Sequence, residues 1–483
     1  MKNNLLSSII DGLGITFQVL WNIVTFFYRL LFPTPKKPPH QSQFGNASDY
    51  LSLFNKGIFF GSRGTTLADA HKHCIIFGSS GIGKTSKVII NTLLSKRASD
   101  RQSLVIRDAS GELYAICAPY LQSIGYDCMV TNLSDASLSS HSFNPLEGDK
   151  TIGQLMQISA NLLNKNASHS GDPYWINSAT EACTIFLRIL KEQQPMYHTL
   201  YNLKTIVESF AADPSSLDGL YSKTKDNELL NAYKALINIP EKNLLNVIAT
   251  LKSSALMLFA DPNMAYVTSA STIRFEDMRR KKVAIFIQSS VLEDSHTAPV
   301  QSLFFSELLS YLMKKLPERS DNSVLFILDE AGSLTFSRNF LETIITTARK
   351  YKIALCLSYQ SPLQLDRAYS RDGAENIRSN AFSKLYMSGM NQQTSEELER
   401  MLGITQHIRE DGTKYSAPLM DSFSIRTMPE DRALLVMGNR LPLHIKLTPY
   451  YKIGKLKRRS RMHAIPIIPI TKNPLHVIDL KKP

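Results

Sequence analysis

Cysteine is scarce in this chain of 483 residues, and the little there is lies scattered. Cys74, Cys117, Cys128, Cys183 and Cys356 form no CxxC pair. An odd, dispersed set excludes a disulfide framework and a thiolate zinc site, and it points to a reducing compartment. The five thiols read as small buried hydrophobes. Acidic residues are outnumbered, with 42 Asp and Glu against 55 Lys and Arg, so the formal net charge is +13. That excess is compatible with a polyanionic partner, nucleic acid or an anionic membrane face. Charged residues make up 20% and apolar residues 43%, which excludes a disordered chain. The length predicts two or three domains.

Apolar runs of membrane length are equally rare. The one singled out is LGITFQVLWNIVTFFYRLLF, residues 13–32, which carries no charge from Gly12 to Tyr28. A helix of that length spans about 30 Å. Gln18, Asn22 and Arg29 interrupt it, and Pro33 ends it. Lys36 and Lys37 follow, which would set the C-terminal side in the cytoplasm, with Trp21 and Tyr28 as interfacial anchors. A membrane-spanning helix is the expectation. A helix lying on the membrane surface and a soluble packing helix are the alternatives. No small-residue cleavage site follows the run, which disfavours a cleaved signal peptide. Pro33 to Pro39 reads as a semi-rigid spacer, so residues 1–39 form an anchor and linker.

Chemistry enters at CIIFGSSGIGKTSKVII, residues 74–90. Gly78, Ser79, Ser80, Gly81, Ile82, Gly83, Lys84, Thr85 and Ser86 carry the phosphate-loop spacing, a glycine, four residues, then Gly-Lys-Thr. An apolar strand precedes the loop and helical periodicity follows it, the context that the motif requires. Glycines let backbone N–H groups turn toward phosphates. Lys84 is placed to pair with the β- and γ-phosphates of ATP, and the Thr85 hydroxyl to ligate Mg²⁺. A second strand, VLFILDEAGSL (324–334), ends in Asp329 and Glu330. Asp329 is expected to hold the Mg²⁺ shell and Glu330 to act as general base toward water. A third strand ends at Gln360, a candidate sensor of hydrolysis; just before it, Arg349 is a candidate arginine finger toward a neighbour's nucleotide. With SLVIRDASGEL (103–113) and KKVAIFIQ (281–288) there are five strand candidates separated by helices. The predicted fold is α/β, a mainly parallel sheet flanked by helices.

Residues 151–265 read as an all-α insertion. TIGQLMQISANLLNK, INSATEACTIFLRILKEQ, TLYNLKTIVESFAA and NELLNAYKALINI each step apolar residues by three and four. Tyr174 and Trp175 are available to stack on bases but are expected to close the helical core. The nucleotide-binding domain would then run over 40–150 and 266–450. The tail, 451–483, gathers Lys452, Lys455, Lys457, Arg458, Arg459 and Arg461. Such a cluster can neutralise phosphates, or can simply be solvated. The last twenty residues carry four prolines and read as a docking strand or a flexible tail.

Taken in order, these blocks resemble the type IV secretion coupling proteins, the ATPases of conjugative DNA transfer. The resemblance covers about residues 55 to 450. It rests on GIFFGS with the phosphate loop, on SLVIRDASGELYAICAPYL with its following FNPLEG, on YWINSATEACTIFLRIL, on DEAGSL, on ARKYKIALCLSYQSPLQL and on AENIRSNAFSKLYMSG. It implies a RecA-like P-loop NTPase in which Lys84 and Thr85 bind nucleotide and metal, Asp329 and Glu330 form the acidic pair, and Gln360 senses hydrolysis. Arg349 matches an arginine that acts across subunits, with Arg378 as a second candidate. Three departures stand out. Ala109-Ser110 replaces the family's Pro-Lys, the N-terminus offers at most one span where two are common, and Ala331 stands where an aromatic is usual.

The function so implied is an ATP-hydrolysing motor at the bacterial inner membrane. Working as a homo-hexamer, it would deliver single-stranded DNA with its relaxase to a type IV secretion channel. The alternative of another class is a nucleotide-binding recruitment platform for protein effectors. A DNA-segregation or packaging translocase is a third reading, disfavoured by the match in the second block.

Overall fold

The computed structural model describes residues 42–163, 173–290, 292–334, 336, 339–408, 412–470 and 475–480. The anticipated membrane anchor, residues 1–39, lies outside them. Among the described residues no helix is long and apolar enough to cross a membrane. The chain divides into two compact units, Met1–Gln43 with Leu402–Leu419, and Phe44–Met401 with Met420–Pro483. In the first, Ile404–Ile408 and Lys414–Pro418 pair as an antiparallel hairpin, and Ser42 N–H donates to the Ile404 carbonyl (3.0 Å).

The second unit is built on a nine-stranded sheet. Its strands in chain order are β1 (Cys74–Phe77), β2 (Gln102–Arg107), β3 (Asp127–Asn132), β4 (Val283–Gln288), β5 (Ser323–Leu328), β6 (Ile353–Tyr359), β7 (Ser383–Met387), β8 (Arg432–Met437) and β9 (Leu443–Lys446). In space they run β9-β8-β7-β1-β6-β5-β2-β4-β3. From β7 to β3 every pairing is parallel, and β8 and β9 are added antiparallel at one edge. β1, β2, β4, β5 and β6 are buried along their whole length. That is why their central residues appear in the sequence as consecutive apolar runs and not as alternating ones.

Five of these strands are the ones expected from the sequence; β3, β7, β8 and β9 are additional. β3 (DCMVTN) and β7 (SKLYM) mix polar residues into short runs, and β9 alternates buried with exposed positions. β8 (RALLVM) does carry a continuous apolar run, Ala433–Met437, and was passed over; the other three lack one. The GIFFGS stretch forms a small hairpin, Phe59–Phe60 with Arg63–Gly64, set against the helix that follows β1. All five cysteines are buried and unbonded, with Cys74 and Cys356 side by side in the β1–β6 register.

The principal helices are α1 (Ile90–Leu94), α2 (Glu112–Ser123), α3 (Ile152–Leu163), α4 (Pro173–Lys191), α5 (Leu200–Ala212), α6 (Asn227–Ile237), α7 (Glu241–Lys252), α8 (Asp294–Leu312), α9 (Phe340–Thr347), α10 (Pro362–Asn380) and α11 (Gly454–Arg459). Helices α3 to α7 lie between β3 and β4, and no described residue there forms a strand. They close on Phe186, Phe210 and Tyr233, all fully buried. Trp175 packs against this core, whereas Tyr174 is exposed.

The tail is not simply solvated. Leu456 of α11 is buried in the sheet core, the Arg459 guanidinium donates to the Leu94 carbonyl, and it lies 4.3 Å from the Tyr120 ring centre. Lys452, Lys455, Lys457, Arg458 and Arg461 stay exposed. Farther on, Ile478 inserts into the helical core. The fully buried Asn202 side chain donates to the His476 carbonyl (2.8 Å) and accepts from Ile478 N–H (3.0 Å).

The turn before β1 carries a titratable pair. His73 adopts φ +67°, and its Nδ1 accepts from Leu355 N–H (3.1 Å), which fixes the neutral ring. Burial pushes both His71 and His73 down to about 4. Lys352, Arg279 and Arg349 add to the shift at His71, and His71 and Arg349 add to it at His73. Unfolded histidine titrates near 6.5, so the stability these two neutral rings confer is complete above that pH. It is lost as the pH falls toward 4, by about 1.4 kcal/mol per pH unit for each ring. His73→Asn keeps an acceptor and tolerates positive φ. We expect it to flatten the difference in unfolding free energy between pH 6.5 and 4 relative to the wild type, measured by urea titration. An unaltered pH dependence would exclude His73 from this role.

Candidate nucleotide-binding site

The parallel strands deliver their C-terminal ends to one sheet edge, the usual place for ligand loops in such a sheet. At that edge β1 leads into the loop 78–84, β6 into Gln360, β5 into Asp329 and Glu330, and β2 into Asp108. Strands in a sheet lie about 4.8 Å apart, so β1 and β5, separated by β6, lie about 10 Å apart at the backbone. The loop crosses that gap. Thr85, the first residue of the wide π-helical turn Thr85–Ile89, donates its hydroxyl to Asp329 Oδ2 at 2.9 Å. Lys84 is buried; its ammonium donates to the carbonyls of Gly78 (2.8 Å) and Ser79 (3.2 Å) and lies 3.8 Å from Glu330 Oε1. Gln360 Nε2 donates to Glu330 Oε2 at 3.3 Å. The five side chains expected to work together therefore meet in one place.

The loop itself depends on backbone freedom. Gly81 and Gly83 have φ of +79° and +90°. A Cβ on Gly83 would lie 2.9 Å from Lys87 Cε, whereas one on Gly81 would meet nothing within 4 Å. Lys87 braces the loop from behind, donating to the carbonyls of Ile82 (2.6 Å) and Glu430 (2.9 Å). Burial lowers its pKa, and the charges of Glu430 and Asp431 oppose that shift. Ser79, Ser80 and Gly81 are exposed, Ile82 is buried beneath the loop, and the Ser86 hydroxyl faces the Gly83 carbonyl.

Asp108 accepts from the N–H groups of Leu113 (3.0 Å) and Tyr114 (2.9 Å) and from Gln288 Nε2 (3.1 Å), which anchors the start of α2. Burial raises its carboxyl to about 6; the three hydrogen bonds oppose the rise, and the charge of Asp329 adds to it.

The two arginines sit elsewhere. Arg349 precedes β6 and so lies at the opposite end of the strands from Gln360, exposed to solvent. Arg378, near the end of α10, is paired with Asp366 and Glu375. Neither approaches the loop of its own chain.

The sequence reading passed over Arg107, Lys87 and Asp294. Arg107 carried a signal, since a cation closing an apolar strand run that is buried to its end demands buried partners.

Residues 45–467 match the family described as Type IV secretory system Conjugative DNA transfer. The chain belongs to that family. It is 23% identical to "Protein VirD4" of Rhizobium rhizogenes over 92% of this chain and 70% of that protein. It is 24% identical to "Protein VirD4" of Agrobacterium fabrum over 85% of this chain, but spans only 64% of that relative's length. "Conjugal transfer protein TraG" of Rhizobium radiobacter is 23% identical over 76% of this chain and 58% of its own length. Among solved structures, the plasmid coupling protein TrwB in complex with ADP and Mg²⁺ superposes with a TM-score of 0.61 at 14% identity, covering 85% of this chain and 94% of that one. TrwB with an ATP analogue superposes equally well, at 15% identity over 86% and 96%. At that identity the likeness speaks for the fold alone, a mainly parallel α/β sheet flanked by helices.

The Gly83 geometry generates a test. Gly83→Ala should weaken binding of a fluorescent ATP analogue by about tenfold or more, about 1.4 kcal/mol. Gly81→Ala, which carries backbone strain alone, should cost less, and both should melt within a few degrees of the wild type. Wild-type affinity in Gly83→Ala would rule the loop out as a phosphate cradle.

Proposed function

We propose that this protein is an ATP-hydrolysing coupling protein of conjugative transfer. The observation that carries the reading is the convergence of Thr85, Asp329, Lys84, Glu330 and Gln360 across two strand spacings. Membership of the family and the nucleotide complexes of TrwB support it.

The Thr85 hydroxyl and the Asp329 carboxylate are hard oxygen donors, 2.9 Å apart, and suit Mg²⁺. Bound there with ATP, the ion would neutralise charge on the β- and γ-phosphates. Lys84 would leave its own loop carbonyls for those phosphates, a short movement because it already lines the loop. Glu330 would take the proton of the attacking water, and Gln360, hydrogen-bonded to it, would report the presence of the γ-phosphate. Arg349 would serve a neighbouring subunit's nucleotide, because its own lies at the far end of the sheet. Arg378 is the lesser candidate, since its guanidinium is already held by two carboxylates. A ring of six chains would bring each Arg349 to the next site. The single-stranded DNA and its relaxase would be the cargo, the secretion channel the destination, and an N-terminal anchor would hold the motor at the inner membrane.

Phosphate release by the full-length protein should rise on addition of single-stranded DNA. Lys84→Ala should abolish turnover, and Glu330→Gln should lower kcat by about 10²–10³-fold while retaining nucleotide. Turnover by Lys84→Ala at the wild-type rate would remove the assignment of the site. Arg349→Ala and Lys84→Ala, each inactive alone, should regain activity when mixed, because hybrid interfaces then hold one intact Lys84 beside one intact Arg349. Failure to complement would argue against action across subunits.

A further inference from the structure

The last residue of β2, Arg107, is fully buried and has the largest such side chain among the described residues. Its guanidinium uses all three nitrogens. Nε donates to Gln301 Oε1 (2.8 Å), Nη1 to the carbonyls of Asp329 and Glu330 (3.1 Å to the latter), and Nη2 to Asp294 Oδ2 and Ser333 Oγ (2.6 Å to the latter). The partners are themselves tied. Asp294 accepts from Ser289 Oγ (2.9 Å) and Gln301 Nε2 (3.2 Å), and Gln301 also donates to Thr297 (3.0 Å). The network thus joins the end of β2, the turn after β5 and the first turns of α8.

Two peptide carbonyls facing one guanidinium nitrogen demand a particular turn. Glu330 supplies it by adopting φ +53°, ψ +42°, a left-handed conformation that is strained for a residue with a side chain. Such strain persists only where the surroundings impose it. A buried charge is also a costly way to fill space, since apolar residues of the same volume are as stable or more so. A lysine could not replace it, because an ammonium lacks the planar fork that reaches three directions at once.

We propose that Arg107 is the positioning residue of the acidic turn. It grips the peptide groups of Asp329 and Glu330 so that the Glu330 carboxylate is held toward Lys84 and Gln360. Asp294 sets the guanidinium in turn. This rests on the hydrolytic reading of the site. Arg107 acts through the backbone of Glu330 and does not touch the nucleotide, so its loss should slow turnover and spare binding.

The test uses the full chain carrying Arg107→Lys, with Asp294→Asn as a second variant that leaves the arginine in place. Both should lower kcat by about 10- to 100-fold, with KM for ATP and affinity for a fluorescent ADP analogue within about twofold of wild type. Combined with Glu330→Gln, Arg107→Lys should add no further loss, because both remove one function. Amide hydrogen exchange should accelerate over residues 327–334 and stay unchanged over 78–90. An unchanged kcat overturns the proposal. So does a parallel fall in nucleotide affinity with faster exchange across the sheet, the signature of a merely structural arginine. If Arg107→Lys does not fold, Asp294→Asn decides alone. If the wild type hydrolyses no ATP, the hydrolytic reading fails, and exchange at 327–334 still decides whether Arg107 holds the turn.

Discussion

A single hydroxyl–carboxylate contact, Thr85 to Asp329, joins positions 244 residues apart and measures whether the fold has brought its chemistry together. The parallel direction of β1, β6, β5 and β2 makes that contact attainable, since each strand releases its following residue at the same edge. The insertion of β6 between β1 and β5 sets the spacing. It separates loop and acids by two strand spacings at the backbone, and it gives Gln360 a seat between them. An adjacent pairing of β1 with β5 would close that space to one strand separation, about 4.8 Å.

What could be read in advance follows from the physics of each signal. The loop was legible because phosphate binding fixes the glycines and the lysine at set spacing. The acidic turn was legible because a strand buried on both faces must be apolar until it reaches the edge. The helical insertion showed itself through its three- and four-residue periodicity. β9 gave no such signal, because at the antiparallel edge a strand is less enclosed and alternates buried Leu443 and Ile445 with exposed His444 and Lys446, whereas β8 carried the apolar run Ala433–Met437 that was passed over. Arg107 escaped because its partners, Asp294, Gln301 and the carbonyls of 329 and 330, come from two distant segments, and only tertiary structure reveals that its charge is answered. The tail was read by composition alone. Composition could not show that Arg459 would be drawn into contact with Leu94 and Tyr120 while its neighbours remained in water.

The placement of the arginines bears on how one chain relates to the next. Glu330, Lys84 and Gln360 form a complete local set, yet Arg349 lies at the other end of the strands, where its charge helps to keep His71 and His73 neutral. The same guanidinium is thus part of the local electrostatics of its own domain, whatever it meets beyond it.

The course of the last residues ties these parts mechanically. One short helix grips the segment just behind the phosphate loop, and some twenty positions later the backbone is clasped by Asn202 inside the helical insertion. The tail therefore touches both the sheet core, through Leu456, and the helical insertion, through Ile478.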